Sequence, residues 1–450
     1  MRQNLLETYS RQLKVAEAYV AKNFDGRTVS NNTALTTAVL LDNTNRFLTE
    51  AMNTQATERA DLGDWKKFCL NLTNIAVPSL IANDLVIVHP MTSFSGSVAY
   101  LQYVAKTDKG GIKKDDVFNG VFGLGATNES RTAYTSQVII ETVGSDGHVA
   151  LTPMALGRFE DGKDAKVILP NGNVEYITAD ELKAGVEAGS KVAYFSEEFQ
   201  MEHVPAQDIP TIGPKMRRIA LVAEPRRIAV RYDQITAFQA KTDYGFSLDK
   251  QIAEQACGEL AFEIDTEIVE MLRNQAFANG DLLEWSKTLP IGVSKFEHYN
   301  GFLEIIEQAK AIIYKRTKKF SANYMVCAAN VIPVLSFVNG WSPVKAPKMN
   351  GPYKAGELNG LAVYVSPSLE DGEFFLGLNG SDMMSSAGVY APYMAIVPTQ
   401  LLGTPDGGLA QGLSTWYSKA ILNPYLLVAG RVLNSAFGPD AYEAVKTIAQ

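Results

Sequence analysis

The feature that most constrains the fold of this chain is a long amphipathic helix predicted from Ser247 to Asn274. Apolar residues recur there every four positions, which places them along one face of an α-helix. These residues are Leu248, Ile252, Ala256, Leu260, Ile264, Ile268 and Leu272. Most acidic residues of the segment lie elsewhere around the helix. With a rise of about 1.5 Å per residue, such a helix is roughly 40 Å long and can span a thin, flat subunit.

The composition indicates a folded protein with room for two or three domains. The chain has 450 residues, 46% of them hydrophobic, and this is ample for a core. Its apolar stretches are too short or too interrupted to cross a bilayer. Residues 1–19 lack the basic and apolar regions of a secretion signal, so we expect a cytoplasmic product.

Charge and cysteine usage narrow the functional classes. The formal net charge of −8 is spread along the chain, which argues against a main surface that neutralises DNA phosphates. The three cysteines lie far apart in apolar surroundings, a pattern typical of buried reduced thiols. They are Cys69, Cys257 and Cys327. Neither a disulfide framework nor a zinc site is predicted.

The N-terminal region is predicted to form an arm rather than a compact domain. Residues 1–24 carry a helical apolar stripe that needs a packing partner. The stripe consists of Leu5, Leu6, Tyr9, Leu13, Ala16 and Val20. Residues 25–60 are rich in Asn and Thr and carry a second apolar pattern through Val39, Leu40, Phe47 and Leu48.

The middle and C-terminal regions predict an α+β protein. Residues 90–104 read as a loop that enters a strand. Two strand-like runs flank Asn171 and Gly172 as in a hairpin, and Thr178 with Glu181 predicts a short capped helix within an inserted module at 145–205. Residues 301–317 predict a helix, which is followed by a strand at "NYMVCA" and a second helix at "NVIPVLSFV". Two further strands are predicted at "GLAVYV" and "FFLGL". This alternation indicates a mixed α/β region over residues 291–395.

A search for catalytic chemistry returns no assembled site. The chain has no phosphate-binding loop, no dinucleotide-binding glycine motif, no nucleophile elbow and no paired-cysteine or zinc-protease motif. The histidines are scattered without ligand spacing, and they are His89, His148, His203 and His298. We therefore predict no catalytic residue, no cofactor and no metal, and expect a protein that is not an enzyme.

One basic segment, "KMRRIALVAEPRRIAVRYDQ", remains open to three interpretations. The first is an exposed strand face whose cations keep a sheet edge soluble. The second is pairing with acidic surface on a neighbouring subunit, because the Arg fork binds carboxylates well. The third is nucleic-acid binding, although the segment has few aromatic residues for base stacking. The inter-subunit contact candidates are Arg217, Arg218, Arg226, Arg227 and Arg231, and Lys215 lies beside them.

Five blocks in order resemble the major capsid proteins of T-even-like tailed bacteriophages. They are "HPMTSFSGSVAYLQYV" at 89–104, "AKTDYGFSLDKQIAEQACGELAFEIDTEIVEMLRN" at 240–274, "ANYMVCAANVIPVLSFV" at 322–338, "AGVYAPYMAIVP" at 387–398 and "QGLSTWYSKAILNPY" at 411–425. Together they cover about a fifth of the chain. The module at 145–205 does not match the insertion expected in that family.

The resemblance implies a Hong Kong 97-like capsid fold and a structural role in an icosahedral shell. The implied divisions are an N-terminal arm (1–62), a first part of the peripheral domain (63–95), an extended loop (96–235), the peripheral domain with its spine helix (236–290), an axial domain (291–400) and a return to the peripheral domain (401–450). The implied partners are further copies of the chain in hexamers and pentamers, scaffold and portal proteins, decoration or vertex proteins, and packaged double-stranded DNA bound without sequence specificity. An encapsulin-type compartment shares the fold and is the alternative.

Overall fold

A computed structural model describes most of the chain, which divides into two compact units. The described residues are 2–23, 29–54, 69–70, 73, 76–78, 80–106, 114–115, 138–143, 165–171, 173–177, 181, 184–195, 211–243, 245, 248–317, 320–345, 351–380, 382–398, 402–403 and 408–434. The large unit comprises Met1–Val98, Arg218–Tyr314 and Phe320–Gln450. The small unit comprises Ala99–Arg217 and Lys315–Lys319.

The long helix of the large unit runs from Leu248 to Ala278 and confirms the prediction. From Ala256 to Leu272 the predicted apolar stripe is buried, with the side chains of Ile268 and Leu272 fully inaccessible to solvent. Gly280 follows the helix with a φ of 80°, a conformation that favours glycine and ends the helix. Asn279 donates hydrogen bonds of 2.7 and 2.9 Å to the carbonyls of Pro424 and Leu427, which fixes the end of the helix.

A seven-stranded mixed sheet forms the main core with this helix. Its strand order is β11-β12-β13-β10-β14-β18-β9. The bounds are β9 Leu282–Ser286, β10 Tyr324–Cys327, β11 Trp341–Pro343, β12 Tyr353–Leu358, β13 Leu361–Val365, β14 Glu373–Gly377 and β18 Val428–Leu433. The predicted strands β10, β13 and β14 are thereby confirmed. Every residue of β10 and β14 is buried, as expected of central strands covered on both faces.

Helices on the seven-stranded sheet complete this core. Lys295–Asn300 begins at Ser294, whose hydroxyl accepts a hydrogen bond of 3.2 Å from the amide of Glu297, and such an N-cap satisfies an otherwise unpaired donor. Phe302–Thr317 confirms the predicted helix. The helix predicted for "NVIPVLSFV" is shorter than expected, because it consists of a 3-10 turn at Ala329–Val331 and one helical turn at Ile332–Leu335.

A five-stranded sheet lies beside the long helix in the large unit. Its path is β1-β15-β17-β16, and β8 pairs with β17. The bounds are β1 Ile87–Val88, β8 Glu224–Asp233, β15 Gly388–Pro398, β16 Leu402–Gly403 and β17 Gly408–Ile421. Leu413 packs with Leu260 of the long helix, whereas Trp416 packs with Leu48. Because odd and even strand residues face opposite sides, the two faces of this sheet have different helical partners.

The N-terminal helices pack within the large unit. Arg2–Thr8 and Ser10–Asn23 lie against Asn31–Thr54, where the predicted stripe residues Tyr9 and Leu13 contact Ala38 and Leu41. The helix Asn31–Thr54 is tied to the sheet by Asn43, whose amide donates hydrogen bonds of 2.8 Å to the carbonyls of Met91 and Tyr393. The predicted apolar stripe therefore packs against another helix of the same chain. A reach of this region to a neighbouring subunit stays a prediction.

The described residues of the small unit are mostly in β-strands. It contains most of the ribbon formed by β2 (Ser95–Ala105) and β7 (Ile212–Val222). It also holds a four-stranded sheet in the order β3-β6-β4-β5, with bounds Val138–Thr142, Lys191–Phe195, Ala165–Ile168 and Val174–Ile177. The predicted hairpin is confirmed, because β4 and β5 pair antiparallel and the amide of Asn173 donates to the Asn171 side chain at 2.9 Å. Thr178, the predicted cap of the next helix, lies outside the described residues.

Candidate inter-subunit surface

The basic segment forms two consecutive strands, β7 and β8, as its apolar pattern predicted. Along β8 the side chains alternate between half-buried and exposed, with Arg226 and Ile228 on the half-buried side and Arg227 and Arg231 on the exposed side. Ile228 packs against the cluster that includes Leu260 of the long helix. The strand period of two thus places Arg226 in a different environment from Arg227 and Arg231.

Arg226 belongs to a charge network on the half-buried side of β8. Its guanidinium donates to both carboxylate oxygens of Glu267 in the long helix, at 2.9 and 3.3 Å. Tyr417 donates its hydroxyl hydrogen to the same carboxylate at 2.9 Å, and the Lys419 ammonium does so at 2.8 Å. Four groups from one helix and two strands therefore meet here, and the network fastens the long helix to the five-stranded sheet.

The network shifts the pKa values of its members. Burial acts to raise the pKa of Glu267, but hydrogen bonds from Arg226, Lys419 and Tyr417 outweigh it and lower the pKa to about 2. Burial, and then the hydrogen bond to Glu267, raise the pKa of Tyr417. Glu267 is therefore ionised and Tyr417 is a neutral donor at neutral pH.

We expect the Glu267 network to make the chain sensitive to acid. Because the pKa of Glu267 is about 2 in the folded chain and near 4.3 when unfolded, its stabilisation is complete above the unfolded value. It is lost as the pH falls towards 2. After allowance for partial exposure, the loss is about 2 kcal/mol. In thermal unfolding scans from pH 6 to pH 2, Glu267→Gln should show a shallower fall of Tm than the wild-type chain.

Glu284→Gln provides the matched control for the acid experiment, because Glu284 is an exposed carboxylate on edge strand β9. Its replacement should leave Tm at pH 6 close to that of the wild-type chain, which separates loss of the network from loss of one surface carboxylate. Equal slopes for the wild-type chain and Glu267→Gln would contradict the stabilising role of the network.

Arg227 and Arg231 project from the opposite side of β8 and are exposed. The guanidinium of Arg227 lies 5.9 Å from the ring centroid of Trp416, a cation–π contact that leaves its donors accessible. Arg217 and Arg218 are exposed on β7. Among the residues that the structure describes, no carboxylate lies within ion-pair distance of Arg218, Arg227 or Arg231.

Exposed apolar side chains lie within β7 and in the helix that follows β8. On β7 the side chains of Met216 and Val222 are 55% and 54% exposed. On the helix Gln234–Asp243, which follows β8, Ile235 and Phe238 are 65% and 68% exposed. Apolar area of this kind is stabilised when another protein surface covers it.

A second charge network fastens the long helix to the seven-stranded sheet. The carboxylate of Glu373 on β14 is 1% exposed. It accepts hydrogen bonds of 2.6 and 2.8 Å from Arg273 of the long helix and one of 2.9 Å from Arg431 on β18. Burial acts to raise the pKa of Glu373, but the hydrogen bonds from the two arginines outweigh it and lower the pKa.

Buried carboxylates on the long helix were not predicted from the sequence. Glu267 joins the network with Arg226. Asp265 is 6% exposed, and its carboxylate accepts hydrogen bonds of 3.1 and 3.0 Å from the amides of Ile81 and Ala82 at the start of the helix Ala82–Leu85. The only available sequence signal was that Asp265 directly follows Ile264 in the apolar stripe, which is too weak to identify a partner.

The remaining candidate chemical groups have structural surroundings. The imidazole of His298 stacks on Trp285 at a centroid distance of 4.9 Å, and its Nε2 lies 2.9 Å from the carbonyl oxygen of Ser286. All three cysteines are free and buried. Within the described ranges, no group of His, Cys, Asp and Glu side chains is arranged to hold a metal ion, and no helix is long and apolar enough to span a membrane.

In the described part of the chain, charge networks fasten the long helix to two sheets, and cationic and apolar side chains lie on the surface. The family model of the major capsid protein Gp23 matches residues 62–441. The chain therefore belongs to the major capsid proteins of T4-like tailed bacteriophages, a structural family whose members form the head shell and reside in the virion capsid. An encapsulin-type compartment is not favoured.

Curated relatives agree with the family match. The chain is 21% identical over 393 residues to the major capsid protein of Enterobacteria phage T4, covering 79% of this chain and 75% of that protein. It is 22% identical over 403 residues to the major capsid protein of Vibrio phage KVP40, covering 79% and 76%. The predicted family is thereby confirmed.

Solved structures show weaker likeness. A chain from Microbacterium phage Oxtober96 has a TM-score of 0.40 and 11% identity, with 78% of this chain and 91% of that chain covered. The capsid of Myoviridae phage XM1 has a TM-score of 0.33 and 10% identity, with 50% and 78% covered. The α+β class is seen directly in the helices and mixed sheets, and the Hong Kong 97-like assignment follows from family membership.

Proposed function

We propose that copies of this chain form the hexamers and pentamers of an icosahedral head shell, held together in part by the exposed cations of the basic segment. The observation that carries this proposal is the position of Arg227 and Arg231. Both are exposed on the outward side of β8, in a chain whose family builds shells from repeated subunits. Arg218 on β7 is a further candidate for this contact within the large unit, and Arg217 is a separate contact candidate on the small unit.

The exposed apolar side chains around the basic segment favour a role in assembly over the interpretation that the cations only keep a sheet edge soluble. Cations suffice to keep a sheet edge soluble, but they do not account for the exposed side chains of Met216, Val222, Ile235 and Phe238. A neighbouring subunit that covers this region buries the apolar area and supplies carboxylates to the arginines. Arg226 contributes from within the subunit, since Glu267 already occupies its guanidinium.

We propose further partners that such a shell requires. Scaffold and portal proteins act during assembly, decoration or vertex proteins bind outside, and double-stranded DNA is enclosed without sequence-specific binding. A net charge of −8 suits a wall to which packaged DNA does not adhere. The extended loop at 96–235 and the arm at 1–62 are proposed as the elements that reach neighbouring copies, with the axial domain at 291–400 facing the capsomer centres. No catalytic activity is assigned.

The test is particle formation by the full chain with Arg227 and Arg231 both replaced by Glu. We expect the double variant to fold but to yield few or no shells, measured by electron microscopy and by particle mass, because like charges then face each other across the contact. The replacement of both residues by Lys is the matched control. It keeps the charge and should still assemble.

Arg226 is left intact in this experiment, because its reversal would break the ion pair with Glu267 and destabilise the subunit for a reason unrelated to assembly. Unchanged shell yield from the Glu variant would leave only the soluble-edge interpretation. A wild-type chain that stays monomeric with its scaffold present would overturn the shell proposal itself.

A further inference from the structure

The long helix carries a row of exposed acidic residues whose charge complements the basic row of β8, formed by Arg227 and Arg231. Glu259, Glu263 and Glu270 are exposed, and their spacings of four and seven residues place them on one helical face. The opposite face holds Ile268 and Leu272, which are fully buried in the core. The acidic row is therefore a fixed feature of a rigid helix.

The two rows agree in length. Eleven residues separate Glu259 from Glu270 on the helix, a rise of about 16 Å. Four residues separate Arg227 from Arg231 on the extended strand, a distance of about 13 Å. The reach of Arg and Glu side chains is enough to accommodate the difference.

Within one chain the two rows are kept apart. The side of β8 that carries Ile228 and Val230 packs towards the long helix, whereas Arg227 and Arg231 project from the other side. In the described part of the chain, neither Arg227 nor Arg231 forms an ion pair with Glu259 or Glu263. Complementary rows that face away from each other in one subunit suit a contact between two subunits.

We infer that Arg227 and Arg231 on β8 of one subunit pair with the acidic row Glu259, Glu263 and Glu270 on the long helix of a second copy. This inference rests on the proposed shell function and names the partner surface of that contact. The contact is heterologous, because a basic strand meets an acidic helix, and such contacts propagate around rings and sheets of subunits.

A charge exchange tests the pairing. The first variant has Arg227→Glu and Arg231→Glu, the second has Glu259→Arg and Glu263→Arg, and the third combines all four. Each pair changes the net charge by four in opposite directions, so the third restores the wild-type value of −8. We expect shell yield to fall by at least about tenfold in the first and second variants and to recover largely in the third.

The other outcomes exclude the inference in different ways. Normal yield from the first and second variants means that the rows do not meet. Loss in all three variants, with normal thermal unfolding, assigns the arginines to another partner, such as nucleic acid. Absence of shells from the wild-type chain under the same conditions overturns the proposed function, and the inference falls with it.

A crosslink gives a second measurement that does not depend on the stability of the reversed variants. In shells of the chain with Arg231→Cys and Glu259→Cys, a flexible bismaleimide should link neighbouring subunits and give ladders on a denaturing gel, because its spacer replaces the reach of the Arg and Glu side chains. Neither substitution alone should give a ladder, since the native cysteines are buried. Absence of ladders both from this variant and from the chain with Arg231→Cys and Glu270→Cys would refute the pairing.

Discussion

Glu373→Ala should lower the free energy of unfolding of the subunit by about 3 kcal/mol. The Glu373 carboxylate is 1% exposed and holds two guanidiniums, those of Arg273 and Arg431. Its removal leaves two partly buried cations with only the exposed carboxylate of Glu370 as a counter-charge, and breaking a buried ion pair from one side costs roughly 3–5 kcal/mol. The lower end applies, because Arg273 and Arg431 are 24% and 40% exposed and regain some hydration. Urea denaturation of the purified full chain measures the effect.

Glu370→Ala is the matched control for Glu373→Ala. Glu370 approaches the same Arg273 at 3.4 Å, but its side chain is 71% exposed. An exposed ion pair contributes about 0–1 kcal/mol, so this variant should be nearly as stable as the wild type. Equal losses for Glu370→Ala and Glu373→Ala would show that burial does not determine the strength of this network.

Gly430→Ala should destabilise the subunit by about 1–3 kcal/mol, and the loss should vanish when Phe374 is shortened. Gly430 on β18 lies directly opposite Phe374 on β14, and a Cβ at Gly430 would overlap the Phe374 ring. That ring is fully buried and packs edge-to-face on Phe302 at 5.3 Å. It therefore has little room to move, and overpacking of this kind costs about 1–3 kcal/mol.

A double-mutant cycle makes the Gly430 prediction specific. Phe374→Ala alone should cost about 3–5 kcal/mol, because it empties part of a close-packed core. Gly430→Ala in the Phe374→Ala background should then cost little, since the new methyl group enters the vacated space. Gly258→Ala is the control, because a Cβ there meets open space and should stabilise the long helix by up to about 1 kcal/mol. Additive losses at Gly430 and Phe374 would refute the overlap.

Periodic patterns in the sequence were reliable where one strong signal decided the local structure. The four-residue repeat from Ile252 to Leu272 predicted the long helix, and "NYMVCA" predicted β10. The prediction for "NVIPVLSFV" overestimated the helix. Val338 is buried in the core after the helical turn has ended, so apolar periodicity continued beyond the helix. Periodicity reports which residues are buried, and it does not report where the hydrogen-bonded turns stop.

The five candidate arginines show that the sequence predicts where charged residues occur along the chain but not what surrounds each of them. Their residue types and the strand propensity of the segment were evident, but their environments were not. Arg226 bonds to Glu267, which is 41 residues away, and Arg227 faces the opposite side of the strand. A single step along a strand separates an internal structural cation from an exposed one, because successive side chains point to opposite faces.

The sequence by itself determined the α+β class, the long helix, the hairpin around Asn171 and the family of the chain, since local periodicity, turn chemistry and motif order are written in neighbouring residues. Only the tertiary structure decided that Glu267 and Glu373 fasten the long helix to two different sheets and that Arg227 and Arg231 are left outside. The physical reason is distance along the chain. Ion pairs and buried carboxylates depend on partners tens to hundreds of residues away, and only the folded chain brings these partners together.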